Sequence, residues 1–327
     1  MPIWEVDYFY CTSGREPWNA LLEHTGCDFV RVLPNAAAVI APRDGGVPRV
    51  IRGYGRPGWL ESQWSAEFLQ DGAEALLALE HAHVVRFFDI GCGHPSVSVH
   101  EYVDGLTMEQ LSGALPLSAE LAVYITVASC DALTTMHAGY GLHTKVAPHH
   151  VLVSKTGHVK LTGHEERNIQ RSTQTSASNI PRPRPLAFIS PEGITGQPIT
   201  GLSDQYCLGE CLATWLLGAN PFLGAEPPTH IIRQLEARYR IIQGKQPIPA
   251  LSSHSSEVPN ELLQVLHRAM HHDPIRRFAH PGALRAALLG AYPISMPRAR
   301  QALAALVTEA QAEPSRPLPQ GAGVFCW

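Results

Sequence analysis

Between Gly141 and Glu165 the chain gathers His143, His149, His150, His158 and His164, five of its 17 histidines, around a single lysine, Lys145. An amine flanked by imidazoles can form an acid–base site, so Lys145 with His149, His150 and His164 is one reading. A lysine acts as a base near pH 7 only if its pKa is strongly lowered; otherwise Lys145 is a solvated cation in a surface loop. Grouped imidazoles also suit zinc, so the five histidines are a second reading. Neither a carboxylate nor a thiol stands at ligand spacing beside them, which weighs against a metal. Cys207 and Cys211 are four apart and read as small core residues of a buried helix rather than thiol ligands.

These side chains need a loop and a tight hairpin to place them. Val151–Ser154 and Val159–Leu161 are short β-branched runs, and Lys155-Thr156-Gly157 supplies the turn. Upstream, residues 117–137 read as an amphipathic helix, with Ser118 as N-cap and Leu121, Ile125, Ala128, Ala132 and Met136 as its stripe. Strands are predicted at 29–33, 49–52, 84–89 and 97–100. A helix is predicted over 65–80, where Leu69, Ala73, Leu76 and Leu77 recur at helical spacing. A central helix opens near Ser203 and closes at Gly218, and two more cover 281–291 and 297–312.

The order of these motifs resembles that of protein kinases, most of all bacterial-type Ser/Thr kinases, over roughly residues 29–292. Glu101-Tyr102-Val103-Asp104-Gly105 resembles the hinge, Ser190-Pro191-Glu192 the Ala-Pro-Glu motif, and Ser203-Asp204-Gln205-Tyr206-Cys207-Leu208-Gly209 the start of the large lobe's central helix. Asp273-Pro274-Ile275-Arg276-Arg277 resembles Asp-Pro-x-x-Arg. The resemblance implies a two-lobed α+β fold: a small antiparallel sheet with one helix over 29–102, and a mainly helical lobe over 103–312. Residues 1–28 form an extension and 313–327 a flexible tail. It also implies structural roles: His143 packing in the core, Asp204 holding the loop backbone, and Glu192 paired with Arg277.

At the positions where that family does its chemistry, the residue types differ. Lys145 stands for the catalytic Asp, Ala147 for the loop Lys, and His150 for the Asn that helps hold magnesium. Gly163, in Gly163-His164-Glu165, stands for the Asp of Asp-Phe-Gly and offers no ligand. Magnesium prefers oxygen, so His150 is a poor substitute. Arg52 stands for the strand Lys, which is not a conservative exchange, and Gly72 for the helix Glu that would pair with it. The turn Pro34-Asn35-Ala36-Ala37-Ala38 has no glycine to bring backbone amides to a phosphate, and Pro34 lacks an amide altogether.

The expectation is therefore a pseudokinase: a binding, scaffolding or regulatory module with no catalytic residues, no metal and no cofactor. What is left of a nucleotide pocket is Val50, His100, Glu101, Val103 and Leu152. The alternatives are an atypical enzyme or a metal-independent nucleotide binder on the same fold. The partner expected is another protein. A net charge of −4 gives no case for nucleic acid or an anionic membrane surface. No apolar run approaches the ~20 residues that span a bilayer. The N-terminus has neither the basic region nor the apolar run of a signal peptide, and seven scattered cysteines suit reduced thiols in the cytoplasm. The surfaces expected to matter are the Trp4, Tyr8, Phe9, Tyr10 and Trp18 extension, the Ser/Thr/Arg/Pro-rich stretch 165–189, and the tail.

Overall fold

A computed structural model describes residues 27–33, 37–54, 72–91, 96–164, 187–222 and 258–312. Residues 1–26 of the extension, Leu69, the stretch 165–186 and the tail lie outside the described residues, whereas Cys27 and Asp28, expected in the extension, belong to the first strand. The described chain divides between Val103 and Asp104 into two compact units, a small sheet unit and a larger helical one, which together give the α+β class.

In the small unit, β1 (Cys27–Leu33), β2 (Ala37–Pro42), β3 (Arg49–Tyr54), β4 (Phe87–Gly91) and β5 (Ser96–Glu101) form one antiparallel sheet in the order β1-β2-β3-β5-β4. Neighbouring pairs such as Val39-Ile40 and Val50-Ile51 are both buried, so these strands read as short apolar runs rather than alternation. Ala37 and Ala38, expected in a turn, belong to β2. Antiparallel register pairs Leu33 with Ala37, so the connection is only three residues long.

The helix expected over 65–80 is seen as α1, Ala73–Ala78. Gly72 is not inside it: it is the N-cap, exposed and left-handed at φ 96°. Leu79 ends the helix in an extended conformation, and Leu76 and Leu79 are buried while Leu77 is exposed. The strand expected at 84–89 starts only at Phe87, after the buried pair Val84-Val85.

In the larger unit, β6 (Gly105–Thr107), β7 (Val151–Ser154) and β8 (Val159–Leu161) form a second antiparallel sheet. β6 was not expected; its three residues pair with Leu152–Ser154. Among the described residues the helices are α2 (Ala119–Gly139), α3 (Pro191–Thr195), α4 (Gly201–Leu217), α5 (Asn260–Ala269), α6 (Pro281–Ala291) and α7 (Met296–Ala312). Ser118 caps α2, its hydroxyl accepting from the Leu121 amide at 3.4 Å. The expected stripe is too narrow a description of α2, because Ala122 to Cys130 are all buried. Thr126 and Ser129 tolerate this by donating to the carbonyls of Ala122 and Ile125. A capping box of Thr200 and Ser203 starts α4, two residues before the expected opening, and Gly218 ends it. Every residue of α4 from Ser203 to Leu216 is buried, including Cys207 and Cys211, and burial pushes the Cys211 thiol up.

On the small sheet, Val50 faces His100 and Arg52 faces Ser98 in register, so all four share one face. The His100 ring lies 5.3 Å from Phe87, and its Nδ1 is 3.1 Å from the Glu101 carbonyl, which accepts from it. Burial first, and then the Arg52 charge, bring the His100 pKa down to about 3. The folded state holds this imidazole neutral, whereas the unfolded chain protonates it near pH 6.5. Its contribution to stability is complete above pH 6.5 and falls away as the pH drops towards 3. His100→Met should flatten the pH dependence of the unfolding free energy between pH 6 and 4 by about one proton. Denaturant titrations at several pH values would show it, and an unchanged slope would mean that His100 is charged in the folded protein.

Candidate functional site

The buried carboxylate of Asp204, near the start of α4, organises the loop between α2 and β7. Its Oδ2 accepts from the His143 amide at 2.8 Å, and its Oδ1 from the Thr144 amide at 2.6 Å. The His137 Nε2, on α2, lies 2.8 Å from Oδ2. Thr144 is held at φ 69°, a left-handed conformation that costs a β-branched residue about 1–3 kcal/mol.

His143 is fully buried and makes two bonds of opposite sense. Its Nε2–H donates to the Thr162 carbonyl at 2.8 Å, and its Nδ1 accepts from the Lys145 amide at 3.2 Å. Together they specify the neutral Nε2–H tautomer. Lys145 is half-buried, and its backbone serves the loop at both ends, because its carbonyl accepts from the His150 Nδ1–H at 2.7 Å. Ala147 is buried, and Pro148–His150 form a single 3₁₀ turn that delivers the chain into β7. At the base of the hairpin, the His150 carbonyl accepts from the Thr162 amide at 2.9 Å.

The imidazole of His150 occupies the space over Gly163. A Cβ built on Gly163 would lie 2.5 Å from the His150 Nε2 and 2.7 Å from its Cγ, and Gly163 itself has φ 83°. No residue with a side chain fits at 163 while His150 keeps this position. The two positions at which oxygen ligands were expected to be missing are thus in direct steric contact.

The histidines divide. His143 lies 5.6 Å from His150 and 6.2 Å from His164, and His149 lies 4.1 Å from His150, between ring centroids. His164 is buried edge-on against Tyr140, whose hydroxyl donates to the His164 carbonyl at 3.2 Å. His158 sits at the other end of the hairpin, where its amide donates to the Ser154 hydroxyl. Among the described residues no group of three or more His, Cys, Asp or Glu side chains has the geometry of a metal site. Of the other positions expected to line a nucleotide pocket, Glu101 accepts the Arg86 amide at its Oε2, Val103 is half-buried, and Leu152 is half-buried on β7.

Glu192 and Arg277 form a buried bidentate pair, at 2.7 and 2.9 Å. Arg277 also donates to the carbonyls of Leu202, His271 and His272, and Ser203 donates to Glu192 at 2.7 Å. Burial works against the Glu192 carboxylate, but Arg277 and Ser203 outweigh it and hold its pKa below the ordinary value. Two anchors were not anticipated from the sequence. Gln205 makes a two-way amide pair with the backbone of Phe278, at 3.0 Å each way. Glu210, fully buried, accepts from the Phe188 amide at 2.8 Å and from the Asn220 side chain at 2.9 Å. A lone Glu between Gly209 and Cys211, inside an apolar helix, was the available signal.

Residues 61–289 match the protein kinase domain, more than half of the chain. The chain belongs to the protein kinase domain family. It is 27% identical over 241 residues to the serine/threonine-protein kinase PknB of Mycolicibacterium smegmatis, covering 71% of this chain and 37% of PknB. It is 26% identical over 208 residues to PrkC of Bacillus subtilis, covering 63% of this chain and 31% of PrkC. The chain thus spans about a third of the length of these curated relatives. The Mycobacterium tuberculosis PknI kinase domain superposes with a TM-score of 0.61 at 19% identity, over 83% of this chain and 97% of that one, a likeness of fold.

Two predictions follow from this kinase-family site. Gly163→Ala should cost about 2–4 kcal/mol, from a left-handed backbone and an overpacked contact, but only about 1 kcal/mol in a His150→Ala background. A double-mutant cycle by chemical denaturation reads the coupling; equal costs in the two backgrounds would mean that His150 does not fill the space. Arg277→Met should cost about 3–5 kcal/mol by leaving Glu192 buried without its cation. Because the folded Glu192 pKa is depressed, the pair's contribution is present above the ordinary carboxylate pKa and is lost as the pH falls through the folded value. The variant should therefore lose part of the wild-type acid sensitivity below about pH 4.5, measurable by the same denaturation run across pH.

Proposed function

We propose that this member of the kinase family transfers no phosphate and works as a protein-binding, scaffolding or regulatory module. The observation that carries the reading is the His150 ring lodged over Gly163. Phosphoryl transfer is almost entirely positioning and charge neutralisation, and it needs oxygen ligands for magnesium at those two places. Here one position has no side chain, and the other places an imidazole nitrogen where the first would have to grow. Lys145, at the position of the base, brings a positive charge in place of a carboxylate. Arg52 replaces the strand lysine, and Gly72, as an N-cap glycine, has no carboxylate to pair with it. Losing one of these groups is open to compensation; losing all of them leaves no route for the transfer.

The partner under this reading is another protein, and neither a nucleotide nor a metal is required. The net charge of −4 argues against nucleic acid and anionic lipid. The cytoplasm is the compartment proposed: the described cysteines Cys27, Cys130, Cys207 and Cys211 are buried thiols, and no described helix is long and apolar enough to cross a membrane.

Thermal unfolding with and without millimolar ATP, in magnesium, manganese or EDTA, tests the proposal. A ligand at 100 times its Kd adds about 2.7 kcal/mol of stability, a shift easily read. The expected result is no shift in any of the three. A shift that needs the metal, together with label transfer from radioactive ATP, would overturn the reading. A shift of equal size in EDTA would instead make nucleotide a structural ligand of an inactive module.

A further inference from the structure

The kinase match ends at residue 289, but the fold does not. Helix α7 follows, packed against α2, β7 and the 3₁₀ turn Gln110–Ala114. Ala299, Leu303 and Val307, at i, i+4 and i+8, are fully buried, and most of the other positions are exposed. Such a narrow stripe is that of a helix laid into a groove.

Where α7 passes the β7–β8 hairpin, Arg300 meets it with both side chain and backbone. The Arg300 Nε donates to the Thr156 carbonyl at 3.0 Å. The Arg300 carbonyl sits in the space that a Cβ at position 157 would take, and Gly157 is left-handed at φ 75°. From the other side, the Tyr124 hydroxyl on α2 donates to the Gly157 carbonyl at 3.2 Å. Burial raises the Tyr124 pKa and the nearby Arg300 charge opposes the rise, in keeping with the closeness of the two. The Arg298–Glu120 contact, at 3.8 Å with Arg298 80% exposed, adds little.

We infer that α7 is a clamp on the tip of the hairpin whose base carries His150 and Gly163, so that a helix outside the matched family span fixes the hairpin at its far end. The four residues of β7 separate tip from base by only about 13 Å. The base is held by the Thr162 amide on the His150 carbonyl and by His143 on the Thr162 carbonyl; the tip is held by α7. The inference does not depend on whether the module is catalytic.

Amide hydrogen exchange on the full chain tests this reciprocally. Leu303→Asp, made in the helix, is read at the hairpin tip; Gly157→Ala, made at the tip, is read in the helix. Leu303→Asp should speed exchange at the Gly157 and His158 amides at least tenfold, and Gly157→Ala should do the same across Ala299–Val307. Near-UV circular dichroism checks that each variant keeps its tertiary packing. Should Leu303→Asp unfold the chain, Arg300→Ala, at an exposed position, and Gly157→Ala, whose added methyl meets Arg300, carry the test. Fast exchange in α7 with an unchanged tip, or a Gly157→Ala variant with an unchanged helix, would overturn the clamp.

Discussion

A buried carboxylate with its hydrogen bonds satisfied is the constraint on which the larger unit rests. Asp204 is buried from solvent, so it binds what the loop offers: two successive amides and an imidazole. Each buried donor left unmade would cost about 1–3 kcal/mol, which offsets the strain of a left-handed Thr144. Glu210, six residues further along α4 and about 9 Å away, repeats the device at the Phe188 amide. Phe188, too, is a non-glycine residue with positive φ, at 58°. One helix therefore carries two buried carboxyl groups, each fastening a loop residue held at positive φ. Glu192 and Arg277 complete the set by tying α3 to the loop before α6.

None of these anchors needs the chemistry of the loop it holds. Asp204 binds backbone, and backbone is the same whether residue 145 is an acid or a lysine. His143 bonds to the carbonyl of Thr162 and the amide of Lys145, again indifferent to side chains. The loop can therefore hold its path with many different side chains on it, provided that they pack. His150 shows that they do: its Nδ1 closes the loop onto the Lys145 carbonyl, and its ring fills the hollow at Gly163.

Much of this was legible in the sequence, for reasons that vary by element. The hairpin 151–161 was readable because β-branched runs flank a short glycine turn, and α4 because Gly218 marks its end. Elements fixed only by distant partners were not readable. β6 is three residues long and exists because β7 lies beside it. The unbroken burial of α2 from Ala122 to Cys130 depends on the helices and strand around it, not on its own periodicity. In α1, Gly72 was read as the interior of a long helix, whereas its left-handed backbone makes it an entrance. At the site, the residue types at 150 and 163 were plain, but the contact between His150 and Gly163 was not. They stand thirteen positions apart, and only the closing of the hairpin brings them together.

That contact couples the two positions into one unit. With an imidazole in the hollow, any side chain introduced at 163 meets the ring, whereas a small residue at 150 empties the hollow. Exchange at the pair therefore has an order: a change at 150 can come first, and a change at 163 alone meets a steric barrier. In sequence space one of the two single-step routes between side-chain combinations is open and the other is closed. A ring in van der Waals contact with a glycine is thus enough to make which residue changes first matter as much as which residues result.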